Sequence, residues 1–172
     1  MIHEGTNGIQ SLDLLGRKVH AKQGRGLMLV LEAMQETISN ARNVAKDAPG
    51  GDGLHSNADA LENAANRLLK TTQTLLKTGK SNPGMMLANS HEYLNMAGHI
   101  VIAWRWLAME TVATQKRHLD SGCSELSDNF YIGKQMASRY FFKHELPKTV
   151  AQAELLTSMD DTNLVMKDEY FC

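Results

Sequence analysis

The 172-residue sequence predicts an all-α fold, in which an antiparallel bundle of four to five long helices follows one further helix. Apolar residues recur at steps of three and four over long stretches, which is the spacing of one helix face. Clusters containing glycine and proline separate these stretches. Only 6% of the residues are aromatic and ten are methionines, a composition that favours helix over sheet.

The first predicted helix covers residues 8–22. Thr6 or Asn7 is expected to cap it, because a side-chain oxygen there can accept a hydrogen bond from the free N–H groups of the first turn. Gly24 and Gly26 are expected to end it, since glycine permits a sharp change of direction. Its apolar face is formed by Ile9, Leu12, Leu15 and Val19.

Further turn signals divide the rest of the chain into five helices. The predicted helices cover residues 27–46, 56–77, 85–119, 128–144 and 147–158. The third of these would be about 50 Å long if unbroken, and Gly98 within it is expected to mark a close helix crossing. Residues 159–172 are acidic and less periodic, so we expect them to lie on the surface.

Charge and cysteine content narrow the class of protein. Eighteen Lys and Arg against nineteen Asp and Glu give a net charge of -1, which excludes a nucleic-acid binder that depends on bulk positive charge. No uninterrupted apolar stretch is long enough to predict a membrane span. Cys123 and Cys172 do not form a disulfide framework, so we expect plain thiols and a cytoplasmic protein.

The most informative segment is His-Glu-Gly-Thr-Asn-Gly-Ile-Gln at residues 3–10. It places the carboxylate of Glu4 just before the predicted helix, next to Gly5, which lets the backbone pass close to a ligand. Free N–H groups at a helix start suit a phosphate or a developing oxyanion. From the residues alone, the favoured interpretation is that Glu4 does no more than interact favourably with the helix dipole, since surface carboxylates are common at helix starts.

This segment resembles the C-terminal motif of the acyl-CoA dehydrogenase family, which usually reads Ile-Tyr-Glu-Gly-Thr and is followed by a helix. The continuation through Leu12-Asp13-Leu14-Leu15-Gly16-Arg17-Lys18 is similar to large bacterial members that carry an additional C-terminal helical domain. The resemblance implies two domains. Residues 1–25 would end the dehydrogenase C-terminal helical domain, and residues 26–172 would form the additional bundle.

The resemblance also implies roles for the motif residues. Glu4 would be the catalytic base that removes the α-proton of an acyl-CoA thioester, while FAD takes a hydride from the β-carbon. His3, Glu4 and Gly5 would border the substrate, and Thr6, Asn7 and Gly8 would touch FAD. A carboxylate with an ordinary pKa of about 4 suits this task once desolvation raises it.

Two departures from the family pattern bear on function. His3 stands where the family usually has Tyr, and two interpretations are equally good: a change in acyl preference or pH behaviour, or the replacement of one flat polar ring by another. Nearly all of the dehydrogenase fold, including its β-domain, would precede Met1, so the chain is interpreted as a C-terminal fragment that is inactive alone. The family implies acyl-CoA as substrate, electron-transferring flavoprotein as partner and a role in fatty acid metabolism. We also expect a homo-oligomer, since association would bury the apolar face of the first helix. The alternative is a non-catalytic bundle for oligomerisation or interaction.

Two further groups of residues could form sites, but each also has an ordinary packing interpretation. His91, Glu92, Asn95 and His99 lie on nearly one helix face and could ligate a metal, but polar residues within a bundle are the favoured interpretation, and no metal site is assigned. Cys123 follows His118 by five residues, but no third group completes a nucleophilic site, so a free thiol is favoured.

Overall fold

The computed structural model describes residues 4–49, with side chains from residue 6, and residues 51–118 and 126–171. Every regular element within these ranges is helical, which confirms the all-α prediction. The α-helices are α1 (Glu4–Asp13), α2 (Ala21–Asp47), α3 (Asp52–Gly79), α4 (Pro83–Leu87), α5 (Ser90–His118), α6 (Asp128–Tyr140), α7 (Lys148–Ser158) and α8 (Thr162–Val165). Two π-helical turns, Leu14–Lys18 and Phe141–Glu145, and a 3-10 turn, Asp168–Phe171, complete the list.

The predicted break after the first helix lies inside α2. Lys22, Gln23 and Gly24 have positive φ angles of 49°, 59° and 80°, so the backbone turns there through the left-handed region. Only the glycine adopts this conformation without steric cost, since a Cβ crowds the following carbonyl. The turn signal was therefore correct, although two of its three left-handed residues carry side chains.

The predicted helix over residues 85–119 is wrong at its start, because α4 ends at Leu87 and α5 begins at Ser90. Asn82 caps α4 with its side chain, which accepts a hydrogen bond from the N–H of Met85 at 3.0 Å. Asn89 lies in the break, and its amide donates to the carbonyl of Asp160 at 2.9 Å. The two residues are 71 positions apart in sequence, so local periodicity could not predict the break.

Two further predictions about local geometry are also wrong. Thr6 and Asn7 do not cap the first helix, because α1 begins at Glu4 and includes both. A Cβ on Gly98 would meet no heavy atom within 4 Å in the described structure, so Gly98 does not mark a close crossing. Gly51 does mark a close approach, since a Cβ there would lie 2.8 Å from the Cα of Ala45.

The chain divides into two compact units, each built from separate segments. One unit comprises residues 1–29, 67–97 and 150–172, and the other comprises residues 30–66 and 98–149. The core of the first unit includes Leu15, Leu75, Tyr93, Met96 and Leu156. The core of the second includes Met34, Ile38, Leu61, Ile100 and Leu107. The proposed boundary near residue 25 stays a prediction.

None of the helices in the described ranges combines the length and the hydropathy required to cross a bilayer. The expected surface position of the C-terminal stretch is confirmed, since residues 161–171 are exposed.

Candidate functional site

The predicted motif lies at the beginning of α1. Thr6, Asn7 and Gly8 occupy its first turns and are exposed to solvent. His3 and the side chains of Glu4 and Gly5 lie outside the described structure. The roles assigned to His3, Glu4, Gly5, Thr6, Asn7 and Gly8 therefore stay predictions.

The inner face of α1 is fixed by one polar and several apolar contacts. Ser11 is buried, donates to the carbonyl of Gly8 at 2.8 Å and shares a 3.1 Å hydrogen bond with the hydroxyl of Ser90. A Cβ on Gly16 would lie 3.4 Å from a methyl carbon of Leu87, so the π-helical turn packs closely on α4. α1 and the π-helical turn after it are thus anchored on α4 and on the first residue of α5 within the first unit.

The outer face of α1 exposes large apolar side chains. Ile9 is 67% exposed and Leu12 is 48% exposed. Leu15 and Val19, which belong to the same predicted stripe, are instead buried. The π-helical turn and the residue after it therefore contribute to the core of the unit, whereas α1 presents an apolar surface that begins within the predicted motif.

An ion-pair cluster follows directly on this helix. Asp13 accepts a hydrogen bond from the guanidinium of Arg17 and lies 3.2 Å from the ammonium of Lys18. The hydrogen bonds from these two cations lower the pKa of Asp13 to about 2. The cluster is exposed, so it keeps Asp13 ionised and contributes little to stability.

A second polar arrangement, not predicted from the sequence, lies in the second unit around Glu110 of α5. Glu110 is only 6% exposed. One of its oxygens, Oε2, accepts hydrogen bonds from the amide of Asn57 at 2.8 Å and from the hydroxyl of Ser138 at 2.6 Å. Burial raises the pKa of Glu110, since the two hydrogen bonds offset only part of the desolvation.

Glu110 lines a cavity of about 560 Å³, which we call the Glu110 cavity. Its walls are the beginning of α3, the last two turns of α5, and α6 with the following π-helical turn. Three cationic side chains contribute to the lining, namely Arg117, Arg139 and Lys143. The cavity therefore combines a buried carboxyl group with a strongly basic wall.

One wall of the Glu110 cavity is held in place by a chain of hydrogen bonds. Arg117 donates to the side-chain carbonyl of Gln135 at 2.6 Å, and the amide of Gln135 donates to the hydroxyl of Thr114 at 2.9 Å. Arg117 also pairs with Asp128, with a nitrogen–oxygen distance of 2.6 Å. α5 and α6 are thereby fixed to each other beside Glu110.

A sequence signal for this site does exist. Ile100, Ala103, Leu107 and Glu110 follow one another at steps of three and four, and all four are buried. A lone carboxylate on a buried stripe is costly unless it is hydrogen-bonded, so it marks a polar network or a cavity.

A family model described as "Acetyl-CoA dehydrogenase C-terminal like" matches residues 30–167, which is most of the chain.

The chain belongs to this family. It also aligns with two curated relatives, each 26% identical to it. One is the broad-specificity linear acyl-CoA dehydrogenase of Mycobacterium tuberculosis, with 99% of this chain and 27% of the relative aligned. The other is the 3-methylmercaptopropionyl-CoA dehydrogenase of Ruegeria pomeroyi, with 95% and 26% aligned. The chain thus spans about a quarter of the length of these relatives.

In this member of the acetyl-CoA dehydrogenase C-terminal-like family, the possible metal ligands and the two cysteines have the following surroundings. No group of three or more metal-ligating side chains that could hold an ion occurs among the described residues. His99 lies 3.5 Å from a carboxylate oxygen of Glu145, and Glu92 accepts from the amide of Gln152 at 3.4 Å. Cys123 and Cys172 lie outside the described ranges.

Proposed function

We propose that this chain is the C-terminal part of an FAD-dependent acyl-CoA dehydrogenase that carries out α,β-dehydrogenation of acyl-CoA thioesters. The observation that carries the proposal is the segment Glu4-Gly5-Thr6, in a chain whose residues 30–167 match the family model. Both curated relatives bear dehydrogenase names, and each is several times longer than this chain. In the complete enzyme, the remaining flavin and substrate walls would come from outside these residues.

The exposed start of α1 fits a surface that faces FAD. Thr6 and Asn7 offer a hydroxyl and an amide, and both residues are exposed. A Cβ on Gly8 would meet nothing within 4 Å in the described structure, so open space lies beside the backbone there. When bound, the flavin supplies the acceptor for the substrate hydride. Thr6, Asn7 and Gly8 would hold its edge by hydrogen bonds and close backbone approach.

Glu4 is the proposed base for the α-proton of the substrate. Its carboxylate takes the proton, and its backbone N–H donates to the thioester carbonyl, where negative charge develops. His3 and Gly5 border the acyl chain. A buried base of this kind gains its strength from desolvation, which bound substrate would supply.

The test uses the complete enzyme that contains this chain. Glu4→Gln removes the base and should lower kcat by about 10²–10⁴-fold, the usual contribution of a positioned proton acceptor. The flavin absorbance of the purified variant should be unchanged. Asp13→Asn is the matched control, because it removes a carboxylate from the same helix at an ion pair with no proposed role. Equal activity of Glu4→Gln and wild type would refute the assignment.

We further propose that the isolated 172-residue chain has no dehydrogenase activity. Mixing it with FAD and an acyl-CoA should leave the flavin absorbance unchanged. Bleaching of the flavin would contradict this part of the proposal. In-frame coding sequence upstream of the Met1 codon that encodes the rest of a dehydrogenase would support the interpretation of the chain as a C-terminal fragment.

A second candidate function is a non-catalytic module for oligomerisation. The exposed pair Ile9 and Leu12 favours it, since a contiguous apolar surface is commonly buried by association. Sedimentation at low and high concentration should then show a dimer that Ile9→Ser with Leu12→Ser abolishes. Leu164→Ser, at a similarly exposed position of α8, is the control. A strict monomer at all concentrations would exclude this function.

A further inference from the structure

We propose that the Glu110 cavity is a binding site for a small organic phosphate, separate from the predicted dehydrogenase motif. All of its lining residues belong to the second unit, whereas α1 belongs to the first. Its volume of about 560 Å³ is within the range of small-molecule sites and far exceeds the size of a free ion. The inference does not depend on the proposed function of Glu4.

The charge of the cavity wall indicates an anionic ligand. The guanidinium of Arg117 is already matched by the carboxylate of Asp128. Arg139 and Lys143 also line the cavity, and neither makes an ion pair or a side-chain hydrogen bond with any described residue. Two cations that have no partner among the described residues suit a phosphate monoester, which carries close to two negative charges at neutral pH. The planar guanidinium of Arg139 also matches phosphate geometry.

The floor of the cavity indicates a hydrogen-bond donor at the other end of the ligand. Asn57 and Ser138 both donate to Oε2 of Glu110. No described residue donates to Oε1, and no described cation forms an ion pair with the carboxyl group. An amino or hydroxyl group of the ligand would therefore complete the shell of Glu110. Leu54 and Met136 add apolar lining for the body of such a molecule.

Hydrogen bonds within the protein hold the walls of the cavity in place. The hydrogen bonds that join Arg117, Gln135 and Thr114 fix α5 against α6. Ser138 is fully buried and directly precedes Arg139, so the bond to Glu110 also fixes the backbone that carries Arg139. A preformed site loses less conformational entropy on binding than a mobile one.

The experiment is calorimetric titration of the 172-residue chain with AMP, with adenosine and with inorganic phosphate. We expect AMP to bind at least about tenfold more tightly than either of the other two, because it alone carries both the phosphate and a donor-bearing body. Adenosine binding as tightly as AMP would overturn the role of the phosphate. Inorganic phosphate binding as tightly as AMP would overturn the organic part of the ligand. Absence of AMP binding would overturn the site.

Variants separate the cavity from bulk charge. Arg139→Gln with Lys143→Gln should weaken AMP binding at least about tenfold, because it removes both cations that would pair with the phosphate. The variant should still fold, because both residues are exposed and no described contact depends on them. Lys70→Gln with Lys80→Gln removes the same charge from exposed positions of the other unit and should leave the affinity unchanged. Equal weakening by both pairs would overturn the proposal.

Glu110→Gln tests the floor of the cavity. The amide replaces the free oxygen with a donor, so AMP binding should weaken by about tenfold while inorganic phosphate binding stays the same. Unchanged affinity for AMP would overturn the assigned contact. Thermal unfolding of each variant confirms that the chain is folded during the titration.

Discussion

The buried carboxyl group of Glu110 makes a specific prediction about stability and pH. Because burial raises the pKa of Glu110 in the folded state, the folded protein favours the protonated form. A group whose folded pKa lies above its unfolded value stabilises the fold at low pH. That contribution is lost as the pH rises from the unfolded value, about 4.3, through the raised folded value. The contribution of Glu110 to the free energy of unfolding of the wild type should therefore fall as the pH rises through this window.

Glu110→Gln removes this pH-dependent contribution, because an amide cannot ionise. The carbonyl of the glutamine can still accept hydrogen bonds from Asn57 and Ser138. Relative to wild type, the variant should gain about 1–3 kcal/mol as the pH rises through the window, the usual cost of burying a polar group without full compensation. The magnitude is bounded because the two donors, at 2.8 and 2.6 Å, already stabilise the carboxylate.

Urea unfolding followed by circular dichroism, at closely spaced values between about pH 4 and pH 8, measures the difference. Glu154→Gln is the control, since it removes a carboxylate from an exposed position of α7. A constant difference between Glu110→Gln and wild type across the range would refute the reasoning. A wild type that gains relative stability with rising pH would refute its sign.

Three further outcomes are expected from the packing, each measured as the free energy of urea unfolding. Gly51→Ala should destabilise the folded chain by about 1–3 kcal/mol or more, because the new Cβ would overlap the backbone of Ala45. Gly53→Ala is the control and should not destabilise the fold, because a Cβ there would meet nothing within 4 Å in the described structure. Leu61→Ala should cost about 2–5 kcal/mol, since Leu61 is fully buried and leaves a cavity; a loss below 1 kcal/mol would contradict that burial. Arg42→Gln should cost no more than about 1 kcal/mol, because its carboxylate partners are half-exposed, and a larger loss would show an undescribed buried role.

The helices themselves could be predicted well, because their cause is local. Five of the six predicted helices correspond to observed ones, with ends displaced by a few residues, since a 3.6-residue apolar period specifies a helix wherever it occurs. The π-helical turns Leu14–Lys18 and Phe141–Glu145 were not predicted. The first lies inside the predicted helix 8–22 and the second at the end of the predicted helix 128–144. Apolar periodicity over so few residues does not distinguish a π-helix from an α-helix.

The break between α4 and α5 shows where local reasoning stops. Periodicity continues through Ala88 and Asn89, yet the side chain of Asn89 donates to the carbonyl of Asp160, 71 residues away in sequence. A hydrogen bond of that range is decided by tertiary packing. The same holds for the close approach at Gly51, which depends on where the end of α2 lies.

The family motif at residues 3–10 was readable from the sequence alone, because a short run of particular residue types specifies chemistry without reference to packing. The sequence by itself thus determined the helical class, most helix positions and the resemblance to a dehydrogenase. The Glu110 cavity was decided only by tertiary structure. Asn57, Glu110 and Ser138 come from three helices, and a buried carboxylate acquires its partners and its raised pKa only when those helices meet.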